Sequence, residues 1–72
     1  MDNKEKVLSF ITEKTAELKR LKRSSTAVKF SDIRRGCGLA GSQAQEATEA
    51  LINDKKISGF QLINNIPVVY LY

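Results

Sequence analysis

Two adjacent asparagines near the C-terminal end constrain this chain more than any other feature. Asn64-Asn65 separates two β-rich runs, Ile57-Ser58-Gly59-Phe60-Gln61-Leu62-Ile63 and Ile66-Pro67-Val68-Val69-Tyr70-Leu71-Tyr72. Asparagine tolerates the positive φ angles of a two-residue hairpin turn, so the two runs are expected to fold back on each other. Pro67 has no amide hydrogen for a ladder, which predicts it at a strand start or on an edge. Tyr70 and Tyr72 alternate with Val69 and Leu71, so one pair faces the core. A tyrosine at the end of that strand is expected to close the core over the first helix.

Upstream of the hairpin the pattern is helical, with one interruption. Asp2 followed by Glu5 is a capping-box pattern, and Val7, Leu8, Phe10, Ile11, Leu18 and Leu21 recur at helical spacing to about residue 21. Ser24-Ser25-Thr26 breaks that helix, and Val28-Lys29-Phe30 has room only for a brief strand. Ser31 offers the N-cap of a short second helix with Asp32 in its first turn and Ile33 and Cys37 as an apolar pair. Gly36, Gly38 and Gly41 are expected to terminate it. Ser42 with Gln45 is a second capping-box pattern. Behind it, Ala44, Ala47, Thr48, Leu51 and Ile52 form the inward stripe of a third helix running to about Lys55. No internal repeat or low-complexity tract is present.

These elements belong to one domain, residues 1–72. Ordering costs about 1.5 kcal/mol per residue, so a chain of this size must commit nearly every apolar side chain to a single core. The sequence has no His, no Trp and one Cys. That removes imidazole acid–base chemistry, His-assisted nucleophiles and the usual zinc ligand sets. The expectation is a protein that is not an enzyme and uses no metal, cofactor or small-molecule substrate. The lone Cys37 cannot form an internal disulfide, which points to a reducing, intracellular compartment, either cytoplasm or nucleoid or nucleus. The polar start Met1-Asp2-Asn3-Lys4-Glu5-Lys6 has no apolar segment of signal-peptide type. The longest apolar run is broken by Pro67, so no membrane span is expected.

The net charge of +4 is unevenly distributed. Residues 1–35 hold ten Lys/Arg against five Asp/Glu; residues 36–72 hold two against three. Between Lys19 and Arg35 the cations Lys19, Arg20, Lys22, Arg23, Lys29, Arg34 and Arg35 are opposed only by Asp32, a patch able to attract phosphates or an acidic protein surface. Helix dipoles favour part of this cluster at the end of helix one. Glu13 and Glu17, one turn apart, are expected on the solvated face.

The order helix, short strand, helix, glycine-containing turn, helix, hairpin resembles the winged helix-turn-helix superfamily over essentially the whole chain. The residues that carry the resemblance are Phe30-Ser31-Asp32-Ile33-Arg34-Arg35-Gly36-Cys37-Gly38-Leu39, then Ala40-Gly41-Ser42-Gln43-Ala44, then Leu51 and Ile57. In that superfamily apolar residues stand where Ile33, Cys37, Leu39 and Ala44 are, glycine stands where Gly38 is, and a leucine closes the third helix near Leu51. The resemblance implies an α+β fold, α-β-α-α-β-β, with a three-helix core and a C-terminal β-hairpin wing. It does not fix the function, because the fold hosts DNA readers, RNA and ribosome binders and protein-binding modules. Gly36-Cys37-Gly38-Leu39-Ala40-Gly41 also satisfies G-x-G-x-x-G, but it follows a polar helical segment rather than a buried strand, so it reads as the turn between two helices.

The leading expectation is a nucleic-acid-binding protein, DNA rather than RNA, acting as a transcriptional regulator. Lys22, Arg23, Lys29, Arg34 and Arg35 are expected on phosphates, while Ser42, Gln43 and Gln45 approach base edges. Asn64 and Asn65 of the wing turn complete the candidate contact set. Glu46 and Glu49 depart from the DNA-reading pattern, and no Lys or Arg occurs on the third helix before Lys55. They favour the alternative, a protein-interaction winged helix in a larger assembly, with acidic helix three and the wing as interface. A homodimer would suit a lone regulator of this size, although no heptad marks a seam.

Overall fold

The computed structural model describes residues 2–23 and 25–72, so Met1 of the polar N-terminus and Ser24 of the break after helix one lie outside the described residues. The elements are α1 (Asn3–Arg20), β1 (Val28–Lys29), α2 (Phe30–Cys37), α3 (Gly41–Asn53), β2 (Gln61–Ile63) and β3 (Ile66–Val69). This is the α-β-α-α-β-β order, an α+β domain with three helices and a three-stranded antiparallel sheet in the order β1-β3-β2.

Helix α1 starts where its sequence says, with the Asp2 carboxylate accepting the Glu5 amide at 2.8 Å. Its inward line is Val7, Ile11 and Thr15, at strict i,i+4 spacing. Leu21, which the sequence pattern includes in that stripe, is 55% exposed because the helix has already ended at Arg20. All three helices close in the same way. A residue at the cap or just past it turns left-handed, at Lys22 (φ 56°), Gly38 (φ 64°) and Lys55 (φ 60°). The next amide then reaches back, as Arg23 N to Leu18 O, Leu39 N to Arg34 O and Lys56 N to Leu51 O.

Two helix starts differ from the sequence expectation. Ser31 lies inside α2, whose N-cap is the extended Lys29 with no side-chain bond. The strand feeds the helix directly, so no capping turn intervenes. Ser42 likewise lies inside α3, whose N-cap is Ala40. Once Gly38 has reversed the chain and Leu39 has packed on the core, Gly41 begins the helix. Gly36 is an interior residue of α2 and Gly41 the first of α3, so only Gly38 acts as a terminator.

In the hairpin, Asn64 (φ 52°) and Asn65 (φ 65°) both take the positive φ of a type I′ turn and pair Ile63 with Ile66. Pro67 stands in the central strand, not on an edge. It faces Leu62, one step from the turn-closing pair, where ladder bonds alternate off. On its other side β1 reaches only as far as Val68, so no partner there asks for its amide. The β-rich runs are shorter than their composition suggests, because the register slips by one residue between Gln61↔Val68 and Ile57↔Leu71. Three residues, Ser58 to Phe60, oppose two, Val69 and Tyr70, which is a β-bulge. The Ser58 hydroxyl receives the Tyr70 amide at 3.0 Å and so holds the bulge.

The core is Val7, Ile11, Val28, Ile33, Ala47, Leu51, Ile57 and Val69, with Phe10, Cys37, Leu39 and Leu71 packed on its margin. Strand alternation sends Val69 and Leu71 inward; Tyr72 is 78% exposed and does not close the core.

Two features yield stability predictions. Thr15 is buried, and its hydroxyl has no hydrogen-bond partner. Thr15→Val keeps the shape and removes the orphan, so chemical denaturation should show a gain of about 1 kcal/mol; a drop in stability would mean that the hydroxyl is satisfied in solution. Gly36 is the second: a Cβ there would run into the Phe10 ring. Gly36→Ala should therefore destabilise the parent by about 1 kcal/mol or more. In a Phe10→Leu background the sign should reverse, toward the roughly 1 kcal/mol helix preference for alanine. Equal effects in both backgrounds would disprove the clash with Phe10.

Candidate functional site

Helix α2 is the element that sets out the cations. Ile33 is fully buried and Cys37 half-buried, which leaves Ser31, Arg34 and Arg35 on the exposed side. Ser31, Arg34, Arg35 and Leu39 line an open cleft of about 300 Å³. The Arg34 guanidinium extends across the α2–α3 junction and lies 3.6–3.9 Å from the point a side chain on Gly41 would occupy. Among the described residues the only ion pair is Lys4–Asp54, which ties the start of α1 to the cap of α3. Lys22, Arg23, Lys29, Arg34 and Arg35 are all exposed and none is in an ion pair.

The candidate residues do not converge on one spot. Lys29 belongs to the outer face of the sheet, in a cleft of about 300 Å³ with Ile63, Asn64 and Ile66. Arg34 and Arg35 line a different cleft, and Lys22 and Arg23 sit on the turn that follows α1. On α3, Ser42 is exposed, but the two glutamines are occupied within the helix. Gln43 Oε1 accepts the Ala40 amide at 3.3 Å, which is the reciprocal half of a capping box; the half that needs an N-cap side-chain acceptor is one Ala40 cannot make. Gln45 Nε2 donates to Glu49 Oε1 at 3.1 Å, so Glu49 is not a bare carboxylate. Asn64 and Asn65 are exposed and form the turn.

Cys37 is not poised as a nucleophile. Its thiol donates to the Lys6 carbonyl at 3.6 Å, and burial pushes its pKa above the usual thiol value, against a smaller opposing effect of the Lys6 charge. The protonated form is the inert one.

Sequence reasoning missed an apolar cleft beside α3. Phe30, Gln45, Phe60 and Pro67 line an open cleft of about 220 Å³. The Phe30 and Phe60 rings meet edge to face, with centroids 5.7 Å apart and planes at 75°. The bulge at Ser58 to Phe60 is what brings Phe60 over the first residue of α2. No periodicity announces a register slip, although Gly59 inside a β-rich run is the residue that commonly marks one. The hairpin continues this apolar character. Leu62 is 71% exposed, Ile63 42% and Ile66 38%, and no Lys, Arg, Asp or Glu occurs from Ile57 to Tyr72. No helix among the described residues is long and apolar enough to cross a membrane.

In comparisons with known proteins, no family model, no curated protein and no solved structure matches this chain.

Proposed function

We propose that this chain is a winged-helix module that binds nucleic acid, DNA in the first instance, as a small regulator. The observation that carries the reading is the pair Arg34 and Arg35 on the exposed side of α2, neither in an ion pair among the described residues. Arginines on this face are suited to phosphate because their guanidinium forks bond two oxygens at once. The element order and the type I′ hairpin support the winged-helix assignment, in which α2 lies on the backbone and α3 approaches the bases. Lys22, Arg23 and Lys29 would add long-range attraction. Ser42, Gln43 and Gln45 are the α3 groups available to base edges, the glutamines through the amide atoms that their present bonds leave free.

A second reading is favoured by one specific observation, the uncharged hairpin with Leu62, Ile63 and Ile66 in solvent. In that reading the hairpin and acidic α3 are a protein interface rather than a wing on DNA.

A salt titration with duplex separates the two. Phosphate-dominated binding weakens linearly with log salt, with a slope of about 0.9 per phosphate neutralised. Arg34→Ala with Arg35→Ala should lower that slope by about 0.9 for each phosphate no longer neutralised and weaken all sequences alike. An unchanged slope would remove α2 from the interface, and no binding by the parent at low salt to either duplex or single strand would leave the second reading. Glu46→Gln should tighten non-specific duplex binding by removing a like charge near phosphates; weaker binding would instead identify this carboxylate as a base contact.

A further inference from the structure

We infer that the cleft formed by Phe30, Phe60, Pro67 and Gln45 receives a single unpaired nucleobase, and that Arg34 and Arg35 hold the phosphate attached to it. The inference rests on the nucleic-acid reading and narrows it from duplex to single-stranded substrate.

Three features of the cleft select a base. Its volume of about 220 Å³ is enough for one planar ring. Its walls are two phenyl rings and a proline ring, surfaces on which every nucleobase stacks. The lining is almost wholly apolar, and Gln45 is the one polar residue in it. Nε2 spends one hydrogen on Glu49, which leaves a second hydrogen and Oε1. That donor–acceptor pair is what the Watson–Crick edge of an unpaired base presents in return.

The phosphate subsite follows from helix spacing. Phe30 and Arg34 are one turn apart on α2, and Gln45 and Gly41 one turn apart on α3. Arg34 lies against Gly41, and Phe30 shares the cleft with Gln45, so the two rows run side by side. One turn is about 5.4 Å, the scale of the sugar between a base and its phosphate. The adjoining cleft supplies Arg34, Arg35 and the Ser31 hydroxyl, a donor set matched to a phosphate.

Charge separates single strand from duplex. A helix inserted in a groove lies between two phosphate backbones, and α3 would carry Glu46 and Glu49 there. A single strand along the α2–α3 seam places one backbone against the arginines, and Glu49 beside the cleft is already engaged by Gln45. A base stacked in a duplex also cannot enter the cleft.

The test uses the full chain and fluorescently labelled oligonucleotides of one sequence: single-stranded DNA, the same strand as RNA, the duplex, and the strand with abasic sugars. The parent should prefer the single strands to the duplex, and the abasic strand should bind more weakly. Phe60→Ala should lose roughly 5- to 150-fold in single-strand affinity, the range for one base stacked on one aromatic ring, with the duplex unaffected. Phe60 lies outside the core, and circular dichroism will show that the variant is folded. Phe60→Trp introduces the only tryptophan, whose emission should be quenched by the single strand and not by the abasic one. Equal binding of abasic and intact strands, or indole emission left unquenched in Phe60→Trp when a strand is bound, would overturn the base site while leaving phosphate binding intact. Failure to bind any of the four would overturn the nucleic-acid reading itself. Quenching of Phe60→Trp only by an apolar peptide would overturn the base site too, assigning the cleft to a protein side chain.

Discussion

The structure depends on one packing event, the laying of α1 across α2 and α3. Val7 and Ile11 from α1, Ile33 from α2 and Leu51 from α3 are fully buried together, and Val28, Ile57 and Val69 of the sheet side close the same cluster. At about 1.5–3 kcal/mol for each large side chain removed from water, these few contacts are the main stabilisation available to so short a chain. Two short helices and strands of two to four residues cannot persist without it. Removal of a residue such as Leu51 is therefore felt at every exposed group whose position the core sets.

That core places the candidate site without contributing to it. Ile33 and Cys37 anchor one side of α2, so Arg34 and Arg35 are turned outward by the helical period alone. Gly38 and Leu39 make the turn short, which brings the start of α3 beneath Arg34. Val28 and Val69 fix the sheet, and the bulge held by Ser58 then carries Phe60 over Phe30. Arg34 and Arg35 are thus exposed on a helix whose opposite face is buried. The arrangement separates cations on α2 from an uncharged hairpin, with the acidic face of α3 between them in sequence.

Much of this was legible in the residues. The Asp2 cap, the stripe from Ala44 to Leu51, the outward Arg34 and Arg35 and the Asn64-Asn65 turn follow from local periods and caps, which act within a few residues. The failures are places where tertiary contacts override a local signal. Ser42-x-x-Gln45 and Ala40-x-x-Gln43 compete for the same helix start, and the packing of Leu39 on the core decides for the second. Thr15 occupies an inward position that looks polar in sequence, whereas Leu21 looks apolar and falls past the helix end. The Phe30–Phe60 cleft joins residues far apart in the chain through a one-residue slip in register, which no local pattern encodes.

The central claim is that nucleic acid meets this domain along the seam between α2 and α3. Amide NMR of the isotope-labelled chain, titrated with a short single-stranded oligonucleotide at low salt, tests it most directly. Shifts should concentrate at Phe30, Arg34, Arg35, Gln45 and Phe60, with Ile63 and Ile66 on the outer sheet face and Glu13 and Glu17 on α1 unmoved. Shifts confined to those latter residues, or a spectrum that does not change at saturating oligonucleotide, would contradict the account.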